Sequence, residues 1–315
     1  MQQEVKLKPF KNFYCDGVLS ALGKYIDVYN IDEDAIYKLL SKEEMEALIE
    51  TTVLKNKRNG VKELYIKVPY VNMGVKFLDK HQIRGKEILS ARHLTALTAG
   101  EIVGGRIGFD VENLLDYAEG FLSEVSDLTG RLDIPIFISF GRDIEEVGKL
   151  VNRYKQSPAE ILENFGFLDR ECYLYGLNYI DKDDLKLIRT YNPTIIFMPK
   201  NDGEEGRGQI NLYNFVYNEI KFCFSTGRCY NIDMLGELKL AVINTSNLMH
   251  ERGLISANTL ISAIEIQESQ EELTLLMDED EKEENILDKR IELDIDLSAL
   301  EEKTRQIAKR IKEKI

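Results

Sequence analysis

Ile134-Pro-Ile-Phe-Ile-Ser-Phe140, Cys172-Tyr-Leu-Tyr175, Thr194-Ile-Ile-Phe-Met-Pro199 and Ile220-Lys-Phe-Cys-Phe-Ser-Thr-Gly227 are apolar runs rich in β-branched and aromatic residues. Short runs of this kind, without polar alternation, read as strands buried on both faces. Each is followed by a segment of helical period: 143–154, 181–191, 212–218 and 233–249. Consecutive strand–helix units of this kind pack as right-handed parallel βαβ crossovers. In such folds the chemistry sits just past the carboxyl ends of the strands. The residues to read are therefore those that close each run: 139–142, Tyr175, 197–202 and 226–228.

The 315-residue chain, 43% hydrophobic, is long enough for an α/β (β/α)8 TIM-type barrel of about 250 residues. Further strands are expected at 11–17, 61–69, around 87–91 and at 106–110, with a Gly-rich turn at Gly104-Gly105-Arg106. Helical spacing runs through 32–55, where Ser41-Lys-Glu-Glu reads as a capping box, and through 112–129. Asn201-Asp-Gly-Glu-Glu-Gly-Arg-Gly208 reads as a surface loop or lid, because its two glutamates would repel a phosphate. Beyond residue 270 the composition shifts. A dense acidic run at 278–284 reads as a solvated loop, period-two alternation at 290–297 as a half-exposed strand, and 298–315 as a basic helix opened by a Ser298-Ala-Leu-Glu box. The expected division is a barrel over 1–265, with 266–315 as a small accessory strand and helix beside it.

A net charge of −14 argues against nucleic-acid partners and an anionic membrane surface, both of which need a basic stripe. No run of 18 apolar residues is present to span a membrane. The four cysteines, Cys15, Cys172, Cys223 and Cys229, have no CxxC spacing and read as buried thiols of a reducing, cytoplasmic compartment. The three histidines, His81, His93 and His250, stand in no metal motif.

The wording of the strand ends is similar to that of the amidohydrolase superfamily, most closely its deaminase and chlorohydrolase branch. Ile134 to Arg142 with Glu145-Glu-Val resembles the strand ending His-x-x-Glu, and 154–168 resembles the helix and turn that follow. Tyr175-Gly-Leu-Asn-Tyr-Ile resembles the next His-containing segment, Met198-Pro-Lys-Asn-Asp the His-Cys-Pro turn, and Ser225-Thr-Gly the Gly-Thr-Asp segment. The resemblance implies a barrel, and it also implies where a metal site would stand. The His-x-His pair falls on Tyr14 and Asp16, the next metal histidines on Ser139 and Tyr175, the acid on Arg142, the substrate histidine on Phe197 and the metal aspartate on Gly227, beside Arg228. Serine, tyrosine and glycine do not make a zinc or iron site, so no metal, no cofactor and no catalytic residue is expected. Asp16 is expected to cap a turn, and Phe140, Tyr175 and Phe197 to fill the vacated mouth. The implied function is that of a pseudoenzyme, a binding or regulatory subunit that associates as a homo-oligomer or with an active amidohydrolase paralogue. Two alternatives stay open: a rebuilt metal-independent hydrolase, and a sensor holding an anionic ligand through Arg142 and Arg228.

Overall fold

A computed structural model of the protein describes residues 2–97, 106–278, 281 and 283–314. The turn expected at Gly104–Gly105 and part of the acidic run after Asp278 lie outside the described residues. Ten strands are described: β1 Gln2–Leu7, β2 Phe10–Asp16, β3 Val61–Lys67, β4 Arg84–Ser90, β5 Ile107–Val111, β6 Ile136–Ser139, β7 Cys172–Tyr175, β8 Thr194–Phe197, β9 Phe222–Phe224 and β10 Leu273–Asp278. β2 to β9 form one sheet in sequence order. The recorded neighbours β2–β3, β5–β6, β6–β7 and β7–β8 are parallel. The sheet returns on itself: Cys15 of β2 bridges Gly227, just past β9, in parallel. The Asp16 amide donates to the Gly227 carbonyl at 2.8 Å, and the Gly227 amide to the Tyr14 carbonyl at 3.0 Å. With helices between the strands, this is the (β/α)8 barrel.

The chain resolves into two compact units. The first comprises 1–87, 224–241 and 255–315. In it β1 and β10 pair antiparallel, Gln2 against Asp278 through Leu7 against Leu273. The helix Lys42–Arg58 is opened by the expected box, Ser41 and Glu44 satisfying each other's backbone amides. Its partner is the C-terminal helix Ser298–Lys312, which buries Thr304, Ile307, Ala308 and Ile311. Arg310 forks onto both carboxylate oxygens of Glu44, at 3.1 and 2.6 Å. At Gly85 of β4, φ is +142°, and a Cβ there would stand 1.9 Å from the Leu64 carbonyl oxygen, so only glycine fits.

The second unit comprises 88–223 and 242–254. β5 to β8 are buried apart from the half-buried Thr194, and Phe137 stacks on Tyr173 across β6 and β7, with centroids 4.7 Å apart. Its helices begin where short polar side chains can hold free amides. Asp143 caps Ile144–Tyr154, Ser157 caps Pro158–Asn164, and Asp181 caps Lys182–Tyr191.

Four local expectations are corrected. The segment 112–129 is not one helix: a 3₁₀ turn Leu114–Asp116 precedes the helix Glu119–Leu132. Residues 290–297 alternate in sequence but form no strand, and the strand of this region is β10. Ser298 does not cap its helix; its amide and hydroxyl both donate to Asp296 Oδ1, and Ser298 is already helical. Finally, the loop expected at 201–208 begins as a helical turn, Pro199–Glu204, with Asn201 and Asp202 buried. All four cysteines are free and buried. Among the described residues no helix is long and apolar enough to cross a membrane.

Candidate functional site

In the first unit the strand ends of β2 and β3 and the segment after β9 build a buried polar cluster. Asp16 closes β2 and is 0% exposed. Its Oδ1 accepts from the amides of Val18 and Leu19, at 2.9 and 2.6 Å, which fixes the turn into the helix Leu19–Leu22. This is the capping role expected of it. Its Oδ2 is buried and accepts no hydrogen bond among the described residues. Lys67 closes β3, and its Nζ meets Glu33 Oε2 at 2.9 Å. Arg228 donates to the same oxygen at 2.8 Å, and the Tyr37 hydroxyl donates to Glu33 Oε1 at 2.6 Å. Beside Asp16, Tyr14 is buried, its amide donating to Ser225 Oγ at 2.8 Å. Asn12 ties β2 to Asn56 of the helix Lys42–Arg58 and to Thr226 past β9, at 2.8 and 2.9 Å.

Charge in this cluster is set by burial and pairing. Burial alone would raise the Glu33 carboxyl, but the Lys67 and Arg228 cations reverse this and hold it at about 2. Burial, and then the Glu33 charge, push Asp16 up to about 6. The two acids therefore act on stability with opposite signs. Glu33 contributes stability above its ordinary value of 4.5, which is lost as the pH falls toward 2. Asp16 contributes stability below its ordinary value of 3.8, which is lost as the pH rises through about 6. Asp16→Asn keeps the Oδ1 acceptor and removes the titration. It is expected to lose less stability than the parent between pH 4 and 7, by on the order of 2 kcal/mol in urea unfolding. Parallel pH curves for the two proteins would refute this assignment of Asp16.

In the second unit Ser139 closes β6, fully buried, and its Oγ has no hydrogen-bond partner among the described residues. Tyr175 closes β7, and its hydroxyl donates to Asp110 Oδ1 of β5 at 2.8 Å. Arg142 is bound to Glu146, whose Oε2 accepts from the Arg142 amide at 2.9 Å and from its Nε at 3.2 Å. Gly176, at φ +98°, lets the chain pass there: a Cβ would stand 2.6 Å from Arg142 Cγ. Phe197 closes β8 but packs edge-on against Phe215 of the helix Leu212–Tyr217, at 5.3 Å, and against Phe222 at 5.9 Å. Its ring belongs to strand–helix packing. Asp202, in the turn beyond, is pushed by burial to about 7.

Position by position, none of these strand-end side chains is an imidazole. Tyr175 directs its hydroxyl hydrogen at Asp110, Gly227 has no side chain, and Ser139 offers a neutral oxygen. Asp16 has one oxygen taken by two amides and lies within the field of Lys67 and Arg228. No group of three or more His, Cys, Asp or Glu suited to a metal ion exists among the described residues. Both arginines considered for an anionic ligand already face a carboxylate.

Sequence reasoning singled out Asp16, Ser139, Arg142, Tyr175 and Arg228 but missed Glu33, Lys67, Tyr37 and Asp110. The available signal was Lys67 itself, a lysine between Ile66 and Val68 at the end of an apolar strand. A charge so placed is buried and needs a partner.

No established protein-family profile matches the chain. It is 20% identical over 148 residues, 46% of its length, to a 5-methylthioadenosine/S-adenosylhomocysteine deaminase of Caldicellulosiruptor saccharolyticus. It is 23% identical over 193 residues, 59% of its length, to a 5'-deoxyadenosine deaminase of Methanosphaera stadtmanae. These matches span 33% and 44% of the relatives' own lengths. In structure it is similar to an adenosine deaminase from Xanthomonas campestris with bound zinc, with a TM-score of 0.79 at 14% identity over 98% of this chain and 86% of that one.

Proposed function

We propose that this chain, which has deaminases as homologues and shares the fold of a deaminase structure, is a pseudoenzyme of the amidohydrolase superfamily, a cytoplasmic binding or regulatory subunit. The observation that supports this most is the exchange of donors at the strand ends. Hydrolytic deamination by the family's chemistry needs a metal-activated hydroxide and a proton shuttle. Lys67 and Arg228 instead share the Glu33 carboxylate within the first unit, and the Tyr175 hydroxyl donates to Asp110 in the second.

A second reading, a deaminase-like hydrolase working without a metal, rests on one observation. Burial raises the Asp16 carboxyl to about 6, and its Oδ2 has no hydrogen-bond partner among the described residues, which suits proton transfer near neutral pH. Ammonia release from 5'-methylthioadenosine, S-adenosylhomocysteine, 5'-deoxyadenosine, adenosine and guanine, with and without added zinc or iron, separates the two. The pseudoenzyme reading expects no release above the buffer rate under either condition. Turnover without metal that is lost in Asp16→Asn would establish the second reading instead.

A further inference from the structure

Lys55, in the last turn of the helix Lys42–Arg58, is only 4% exposed. Its Nζ stands 3.5 Å from the centre of the Tyr230 ring and has no hydrogen-bond partner among the described residues. An ammonium so placed lacks both the water and the paired carboxylate that usually offset its charge. The ionisable groups in its field all belong to the first unit: Cys15 of β2, Lys24 beyond the helix Leu19–Leu22, Arg58 on its own helix and Glu301 of the C-terminal helix. Lys24 also reaches over the Tyr230 ring, at 5.4 Å. Burial lowers the Lys55 ammonium to about 7, with Lys24 and Arg58 adding to the effect and Glu301 opposing it. Such an amine is uncharged, and so nucleophilic, at neutral pH.

A second donor lies one helical turn further on. Arg58 Nε is buried and makes no hydrogen bond among the described residues, although Glu292 Oε1 stands 3.5 Å away as an ion pair. Residues three apart are neighbours on a helix surface. The place therefore holds two buried donors and lacks an acceptor oxygen, and it disfavours a further cation.

We infer that Lys55 is an acyl-acceptor site, modified at Nζ by a small acyl phosphate that enters past Tyr230. In this step the Nζ lone pair attacks the acyl carbon and the bond from that carbon to the phosphate oxygen breaks. Inorganic phosphate leaves with the electron pair, and the amine loses a proton to it or to water. The product is a neutral amide. Its N–H stays against the Tyr230 ring, and its carbonyl oxygen supplies the acceptor that Arg58 Nε lacks. Size selects the donor. Tyr230 is half-buried and lies on a bend, outside any helix or strand, so turning its ring opens a way for a small reagent only. The inference is independent of whether the barrel turns over a substrate.

Treating the full chain with acetyl phosphate and following each lysine by peptide mass spectrometry tests this. At pH 7.5 about one ordinary lysine amine in a thousand is uncharged, against most of Lys55. Lower basicity and burial offset part of that advantage, and Lys55 is expected to react about tenfold or more faster than the exposed Lys42 and Lys312. Its rate is expected to level off above about pH 8, whereas theirs climb past pH 10. Tyr230→Ala admits water to Nζ and is expected to abolish both the advantage and the plateau, a thermal melt verifying its fold. Acetylated parent is expected to melt higher than untreated parent, and Lys55→Met treated alike to gain nothing. An unreactive Lys55, one whose rate follows that of Lys42 across pH, or an advantage that survives Tyr230→Ala overturns the inference. So does acetylation of Lys55 that lowers the melting temperature.

Discussion

Glu33→Gln is expected to lower the unfolding free energy by about 3 kcal/mol at pH 7, read as a reduced urea midpoint with unchanged slope. The cause is the charge left behind rather than the bond lost. Lys67 is 3% exposed and Arg228 24%, and both rest on the same Glu33 oxygen. Glutamine cannot neutralise either, so the buried Lys67 ammonium would lose its ion-paired carboxylate, with Asp16 as the acid remaining in its field. The effect shrinks as the pH falls toward 2, where the parent's own carboxylate is protonated. A loss under about 0.5 kcal/mol, the size of an ordinary surface substitution, would mean that the cluster is solvated and does not organise the strand ends.

Gly85→Ala is expected to have a larger effect, either insoluble protein or a loss of more than about 3 kcal/mol. Two costs combine at this position. The φ of +142° lies in a region that residues with a Cβ rarely adopt, and the added carbon would overlap the Leu64 carbonyl, an atom of the backbone that cannot rotate away. Relief would require β4 to move from β3, and Glu87, two residues on, would move with it. Its buried carboxylate accepts from the amides of Asn72, Gly74 and Val75, at 2.6, 3.1 and 3.3 Å, and so holds the turn into the helix Val75–Lys80. Soluble yield and urea unfolding measure this directly, and a variant with the parent's midpoint would contradict the geometry.

The strands were legible where burial on both faces leaves a plain apolar run. β6, β7 and β8 fall inside the runs at 134–140, 172–175 and 194–199. Helix starts were legible where one side chain decides them locally, as at Ser41, Asp143 and Asp181. The two-stranded sheet was less so. Residues 290–297 alternate cleanly, but alternation describes a side-chain pattern and does not supply the paired edge that a strand needs. β10 carries Leu275, Leu276 and Met277 in succession, with Leu276 53% exposed, so its own alternation is hidden by an apolar residue on the outer face. The site divides in the same way. Asp16 could be read as a cap because its partners are two and three residues away. Glu33 looked like an ordinary acid in a first helical turn, since its partners Lys67 and Arg228 lie 34 and 195 residues further on. Contacts of that separation are made by the fold and leave no periodic trace in the chain.

The proposed pseudoenzyme implies that the chain holds no tightly bound catalytic metal. Equilibrium dialysis of the purified protein against zinc and against iron, followed by elemental analysis, tests it most directly. The account predicts well under one ion per chain for either metal, with no change after Asp16→Asn. One tightly held ion per chain, removable only by a chelator and lost in Asp16→Asn, would contradict it.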